Sequence, residues 1–131
     1  MSDENLYQTR IMKLIDRYYK IKSRNGEVFS VSLLPDFVGY KGHFPNNPVA
    51  PGVCNIQMIK ELVENIVGKR LFLSNIAKCR FLNIINPLYI SDLQINISVV
   101  QGENSYTVEA TVKDAENKTC IEFKGNLTPM P

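Results

Sequence analysis

Between Gly52 and Gly68 the apolar residues Val53, Ile56, Ile59, Leu62, Val63, Ile66 and Val67 return at intervals of three and four. This spacing predicts a helix over residues 52–67, with Pro51 before its start and Lys69-Arg70 after the terminating glycine. The stripe is apolar enough to need a sheet wrapped around it rather than a place on an exposed surface.

After the helix the periodicity changes to that of strands. The stretches 71–81, 93–100, 106–113 and 120–127 are separated by turn-forming residues at Asn86-Pro87, Gly102-Glu103-Asn104 and 114–118. Before the helix, Asn25-Gly26 divides Tyr19-x-Ile21 from Phe29-x-Val31-x-Leu33, which predicts two paired strands joined by a tight turn. Residues 11–19 are spaced as on a helix but turn rich in strand formers from Tyr18 onward, so a short helix running into a strand is expected there. Residues 1–9 read as a flexible polar lead-in. Several antiparallel strands with one long helix give an α+β domain, and 131 residues without a break in composition give a single one, 1–131.

Fifteen basic residues against thirteen acidic ones leave a net charge of +2, which offers no electrostatic case for nucleic acid. The small basic clusters Lys20/Lys22/Arg24, Lys69/Arg70 and Lys78/Arg80 read as solvated surface, or as a landing site for an acidic partner protein. Cys54, Cys79 and Cys120 form an odd set without a Cys-x-x-Cys pair, which suits neither a disulfide framework nor a zinc site. Reduced thiols and a cytoplasmic location are therefore expected. No apolar run is long enough for a signal peptide or a membrane span, so no membrane partner is expected.

The chemistry concentrates in residues 42–52, Gly-His-Phe-Pro-Asn-Asn-Pro-Val-Ala-Pro-Gly, which hold the only histidine of the chain. Prolines fix φ and glycines permit tight turns, so the imidazole of His43 sits on a rigid mount. Pro51 and Gly52 open the helix, where backbone N–H groups of Gly52 and Val53 lack intrahelical partners and carry the positive end of the dipole. Such N–H groups can hold an oxyanion while a histidine removes a proton beside the carbonyl. Taken alone, a loop histidine among turn-shaping prolines is the plainer reading. One imidazole does not make a metal site, and the chain has neither a phosphate-binding glycine loop nor a Gly-x-Ser-x-Gly elbow.

From His43 to Gly52 the chain resembles the active-site segment of the hot-dog fold 3-hydroxyacyl-acyl-carrier-protein dehydratases, matching His-Phe-Pro-x-x-Pro-Val-x-Pro-Gly at every fixed position. A weaker likeness takes in Leu14-Ile15-Asp16-Arg17, the hairpin, the helix and Ala77-Lys78-Cys79-Arg80-Phe81, with Pro87 beyond. The resemblance implies a long central helix wrapped by an antiparallel sheet. It implies that His43 is the catalytic base, that the Gly52 N–H binds the thioester oxygen and that the Val49 carbonyl orients the imidazole. It further implies a 3-hydroxyacyl thioester of acyl-carrier protein or coenzyme A as substrate, with the acyl chain along Val53 and Ile56 and Phe81 as a wall. No cofactor is expected, since elimination beta to a thioester needs only a base, an oxyanion hole and a way out for water. The resemblance implies active sites at a dimer interface, with the acid of the helix coming from the opposite subunit, so the expected assembly is a homodimer or a trimer of dimers, or else a heteromer with another hot-dog subunit.

The resemblance breaks at one position. The family carries an acidic residue one turn into the helix, and here that position is Gln57, which has no proton to give at neutral pH. Glu61 and Glu64 follow on the same face, but Glu61 is displaced by about 6 Å along the axis, too far to protonate the same atom directly. Both are expected to form a polar stripe toward solvent or a neighbouring subunit. Three readings of the site remain: His43 both removes and returns the proton while Gln57 positions the hydroxyl; the chain is a noncatalytic or weakly active partner of another dehydratase; or it hydrolyses acyl thioesters, which also calls for a carboxylate.

Overall fold

The computed structural model describes residues 13–37, 52–88 and 90–131. Six strands, β1 (Tyr19–Asn25), β2 (Val28–Leu33), β3 (Leu71–Phe81), β4 (Asp92–Gln101), β5 (Tyr106–Asp114) and β6 (Thr119–Pro129), form one antiparallel sheet in the order β1-β2-β4-β5-β6-β3. The helix α1 (Gly52–Val67) packs against it. Alternation along the strands sets the inner face: Tyr106, Val108, Ala110 and Val112 of β5 point to the core, as do Leu93, Ile95 and Ile97 of β4. Met58, Ile59, Leu62 and Val63 of α1 meet them and are fully excluded from solvent. This is the hot-dog fold, with the helix held against an antiparallel sheet.

Register carries the core to the edge of the sheet. Phe29 lies opposite Ile95, Ile95 opposite Val112, Val112 opposite Ile121, and Ile121 opposite Phe81, so one row of side chains crosses β2, β4, β5, β6 and β3. Directly opposed residues share a face, so this register delivers Phe81 to the helix side of β3. Two register shifts, between Leu73 and Asn75 and between Ile76 and Lys78, interrupt the pairing of β3 with β6. Such bulges bend and twist an edge strand.

The structure departs from the expectation at three places. No helix runs through residues 13–18: Arg17 and Tyr18 donate backbone N–H bonds to the Leu14 carbonyl at 3.0 and 2.8 Å, and Asp16 takes φ +66°. The chain turns sharply there, because Leu14, Tyr18 and Tyr19 must all reach the core within one turn of backbone. The hairpin loop is Gly26-Glu27 rather than Asn25-Gly26, since Asn25 pairs with Val28. Gly26, at φ +64°, supplies the left-handed first position that such a two-residue loop needs. Val53 is the third departure: it belongs to the apolar stripe by spacing but is 75% exposed.

The helix ends where the sequence places its end. Gly68 adopts φ +72° and donates its N–H to the Glu64 carbonyl at 2.8 Å. Arg24 ties the β1–β2 hairpin to this end, donating to the Asn65 side chain at 2.8 Å while its guanidinium lies 5.3 Å from the Phe29 ring centroid. Among the described residues no helix is long and apolar enough to cross a membrane.

Candidate functional site at the start of the helix

His43 and Val49, the expected base and its orienting carbonyl, lie outside the described residues. The remaining expected residues are distributed over the first turns of α1 and the end of β3. Gly52 is the first residue of the helix, and no acidic side chain occupies the first turn to offset the positive end of the dipole. A Cβ built on Gly52 would stand 2.8 Å from Phe81 Cζ, so the ring is laid directly over the glycine. The site thus needs glycine at 52 for space, and the cross-sheet row explains why Phe81 is the residue that fills it.

Val53, exposed, and Ile56, half-buried against the core, stand on successive faces of the same turn. Phe81 itself is 54% exposed, at the rim of the sheet. Cys54 is half-buried, and burial pushes its thiol above the ordinary value, which suits a packing role rather than a nucleophile's. Deeper on the same turn, Asn55 is buried and accepts a hydrogen bond from the hydroxyl of buried Tyr18. Tyr18 in turn meets Phe37 edge to face, with ring centroids 5.1 Å apart. The bond from Tyr18 to Asn55 fixes the first turn of the helix to the segment before β1.

Gln57 is half-buried and donates from Nε2 to Glu61 Oε2 at 3.0 Å. The expected polar stripe is corrected here, because neither glutamate simply faces solvent or a neighbouring chain. Glu61 Oε2 also accepts from the Leu14 N–H at 2.7 Å, while its Oε1 accepts from the Ile15 N–H at 2.9 Å and from the Tyr19 hydroxyl at 3.0 Å. Two successive N–H groups converging on one carboxylate make a small nest for an anion, and that anion is the protein's own side chain. Glu64 accepts from the Leu71 N–H at 2.7 Å, at the first residue of β3, and lies 3.7 Å from Lys60 Nζ. Burial first, and then the Glu61 carboxylate, drive the Tyr19 phenol far above its ordinary value.

Sequence reasoning missed Glu61 as an anchor. Its partners Leu14 and Ile15 lie 47 and 46 residues away along the chain, and backbone donors leave no trace in residue types. A shallow polar depression of about 310 Å³ beside Lys22, Ser30, Asp92 and Gln94 is lined by none of the expected catalytic or substrate-binding residues.

Comparison with known proteins supplies the family. The family model described as ApeI dehydratase, of the ApeI-like group, matches residues 20–124. A 3-hydroxyacyl-[acyl-carrier-protein] dehydratase FabZ from Caldanaerobacter subterraneus is 26% identical over 95 residues, covering 67% of each chain. Four such dehydratases, 26% to 30% identical, are spanned by this chain over 57% to 67% of their length. Among solved structures, the dehydratase heterocomplex ApeI:P from Xenorhabdus doucetiae superposes with TM-score 0.60 at 19% identity, over 82% of this chain and 92% of that one. A hypothetical thioesterase with coenzyme A from Streptococcus pneumoniae TIGR4 superposes with TM-score 0.64 at 12% identity, over 95% and 96%. At these identities the structural likenesses speak for the shared fold.

Proposed function

The chain belongs to the ApeI-like dehydratase family, and from that premise we propose that it removes water from a (3R)-hydroxyacyl thioester, carried on acyl-carrier protein or coenzyme A, to give the trans-2-enoyl product. The observation that carries this reading is the opening of α1, where Gly52 lies beneath Phe81 and no acidic side chain offsets the dipole. In the proposed reaction His43 takes the C2 proton, and the Gly52 N–H holds the thioester oxygen as charge gathers on it. The C2–H electron pair becomes the C2=C3 double bond as the C3–O bond breaks. The imidazolium returns its proton to the departing oxygen, and water leaves. Gln57 holds the hydroxyl in place; it does not protonate it.

Hydrolysis of the thioester is less well supported. It calls for a carboxylate to activate water or attack the carbonyl, and Glu61, the carboxylate that follows Gln57 on its face, is already engaged by four donors.

Assembly into a dimer, or with another hot-dog subunit, is part of the same proposal. Among the described residues β3 pairs along one side only, with β6, and exposes Phe72 and Ile76, an edge that pairing with a second chain would cover.

The deciding assay offers 3-hydroxyacyl and enoyl thioesters on both carriers and follows enoyl interconversion and thiol release. Interconversion that vanishes in His43→Ala supports the dehydratase, whereas thiol release without interconversion overturns it in favour of hydrolysis.

A further inference from the structure

α1 and β3 lie side by side in opposite directions. Phe81, the last residue of the strand, covers Gly52 at the start of the helix, and Leu71, its first, donates its N–H to Glu64 Oε2 near the helix end at 2.7 Å. The seam between them is apolar. Ile76 and Phe81 stand opposite the buried residues Gly125 and Ile121 of β6 and so face the helix side, yet they are 46% and 54% exposed. On the helix, Gly52, Ile56, Lys60 and Glu64 follow one another four apart along one flank, and Ile56 is only half-buried. The seam is thus left open to solvent near the helix start. At position 60 the apolar lining gives way to a lysine whose side chain is nine-tenths buried, with Nζ 3.7 Å from Glu64 Oε2. The same carboxylate oxygen accepts from the Leu71 N–H, so ammonium, carboxylate and strand backbone make a polar link from helix to strand. A solvated pair at this spacing would keep its ammonium in water; this one is drawn inside.

We propose that the Lys60–Glu64 pair is the end wall of the acyl site and limits the protein to short and medium acyl chains. This rests on the reading of the site given above and names its substrate class more closely. A chain whose thioester oxygen sits on the Gly52 N–H passes Ile56 and meets Lys60 eight residues along, about 12 Å of helix axis, which an extended chain of about eight to ten carbons spans. Further methylenes would lie against an ammonium and a carboxylate. Those groups would lose the water they retain, and a hydrocarbon offers nothing in its place. The wall is fixed, because the Leu71 N–H holds Glu64 and Glu64 holds Lys60.

The test compares chain lengths in binding. Pantetheine acylated with saturated chains of four, eight or fourteen carbons, joined through an unreactive amide in place of the thioester, is titrated calorimetrically into the full-length protein below the micelle concentration of the longest compound. The eight-carbon compound is expected to bind more tightly than the four-carbon one by about tenfold or more, since two buried methylenes are worth about that much. The fourteen-carbon compound is expected to bind no more tightly than the eight-carbon one. Lys60→Met keeps the side chain long and removes its charge, and should make fourteen carbons bind more tightly than eight by about tenfold or more.

Glu64→Gln keeps an acceptor for the Leu71 N–H, so Lys60→Met combined with Glu64→Gln should give the same shift without stranding a carboxylate. Lys69→Met removes an exposed charge beyond the helix and should leave the cut-off where it is. Wild-type protein that binds fourteen carbons more tightly than eight overturns the proposal, as does a cut-off that survives replacement of Lys60 or a shift of equal size in Lys69→Met. Should Lys60→Met fail to fold, the double variant and the wild-type series decide. Failure of the dehydratase reading is distinguishable: a cut-off in binding without enoyl interconversion removes the function and leaves the wall, and interconversion indifferent to chain length does the reverse. No binding by any of the three compounds overturns both.

Discussion

Gly52 and Phe81 are packed so closely that a single methyl group on the glycine would stand 2.8 Å from the end of the aromatic ring. The contact joins the opening of the helix to the last residue of the edge strand, 29 positions later in the chain.

Gly52→Ala is expected to separate folding from activity. The clashing atoms are the far end of a half-exposed ring that can swing outward, and alanine favours a helix more than glycine does by up to about 1 kcal/mol. Thermal stability should change little, while turnover should fall by about tenfold or more as Phe81 leaves its place over the helix start. Circular dichroism melting alongside the thioester assay checks both halves. A large loss of stability would mean that the ring is locked in place.

Gln57→Glu should raise dehydration by supplying the missing acid. The new carboxyl would stand where Gln57 Nε2 now lies, 3.0 Å from Glu61 Oε2, and two carboxyls at that separation share a proton. One of the pair then ionises only well above the ordinary carboxylate range, which is what a general acid near neutrality requires. General acids contribute about 10²- to 10⁴-fold, and recovery of part of that is expected near pH 6–7, fading as pH rises and the shared proton is lost. Rate–pH profiles of the variant and the wild type test this.

Glu61→Ala should destabilise the protein by about 2–4 kcal/mol, because the Leu14 and Ile15 N–H groups and the Tyr19 hydroxyl all lose their acceptor. Glu64→Ala deprives one backbone group, the Leu71 N–H, and should cost about 1 kcal/mol. Urea unfolding of the two variants gives the ratio.

Alkaline pH should weaken the fold through Tyr19. Burial, and after it the Glu61 carboxylate, hold the folded phenol far above its ordinary value of 10.0. Below pH 10 both folded and unfolded chains keep the proton and this stabilisation is complete. Above pH 10 the unfolded chain ionises and the folded one does not, so stability falls by about 1.4 kcal/mol per pH unit on account of this residue. Tyr19→Phe should show a shallower decline over the same range.

Ile76→Lys should shift the protein toward monomer by placing a charge on the open edge of β3, where Ile76 is exposed. Light scattering after gel filtration reads the mass; an unchanged oligomer would mean that chains associate elsewhere.

The helix and the four strands after it were legible because each carries its own period. The helix spans the expected residues, and β3 to β6 differ from expectation by no more than two residues at either end. The turn at residues 13–18 was not legible, since Leu14, Ile15, Tyr18 and Tyr19 imitate helical spacing while their burial is dictated by contacts with residues far along the chain. The contact of Gly52 with Phe81 was half legible: both residues were expected at the site, but their meeting depends on a row of pairings across five strands. The bond from Gln57 to Glu61 obeys the four-residue spacing of a helix and was within reach. What sequence did not reveal is that the carboxylate is fixed by backbone donors, which turns a surface pair into an anchored one.

The polar moorings of α1 lie mostly in its second half. Glu61 reaches the turn before β1, Glu64 the start of β3, and Asn65 the arginine of the hairpin. In the first turn, Asn55 is tied in the same manner to Tyr18. The second half of the helix therefore carries bonds to three separate elements, and none of the three runs through residue 57. A proton donor at 57 can be exchanged for an amide with the domain still standing, and a lineage can retune its chemistry there without rebuilding the scaffold.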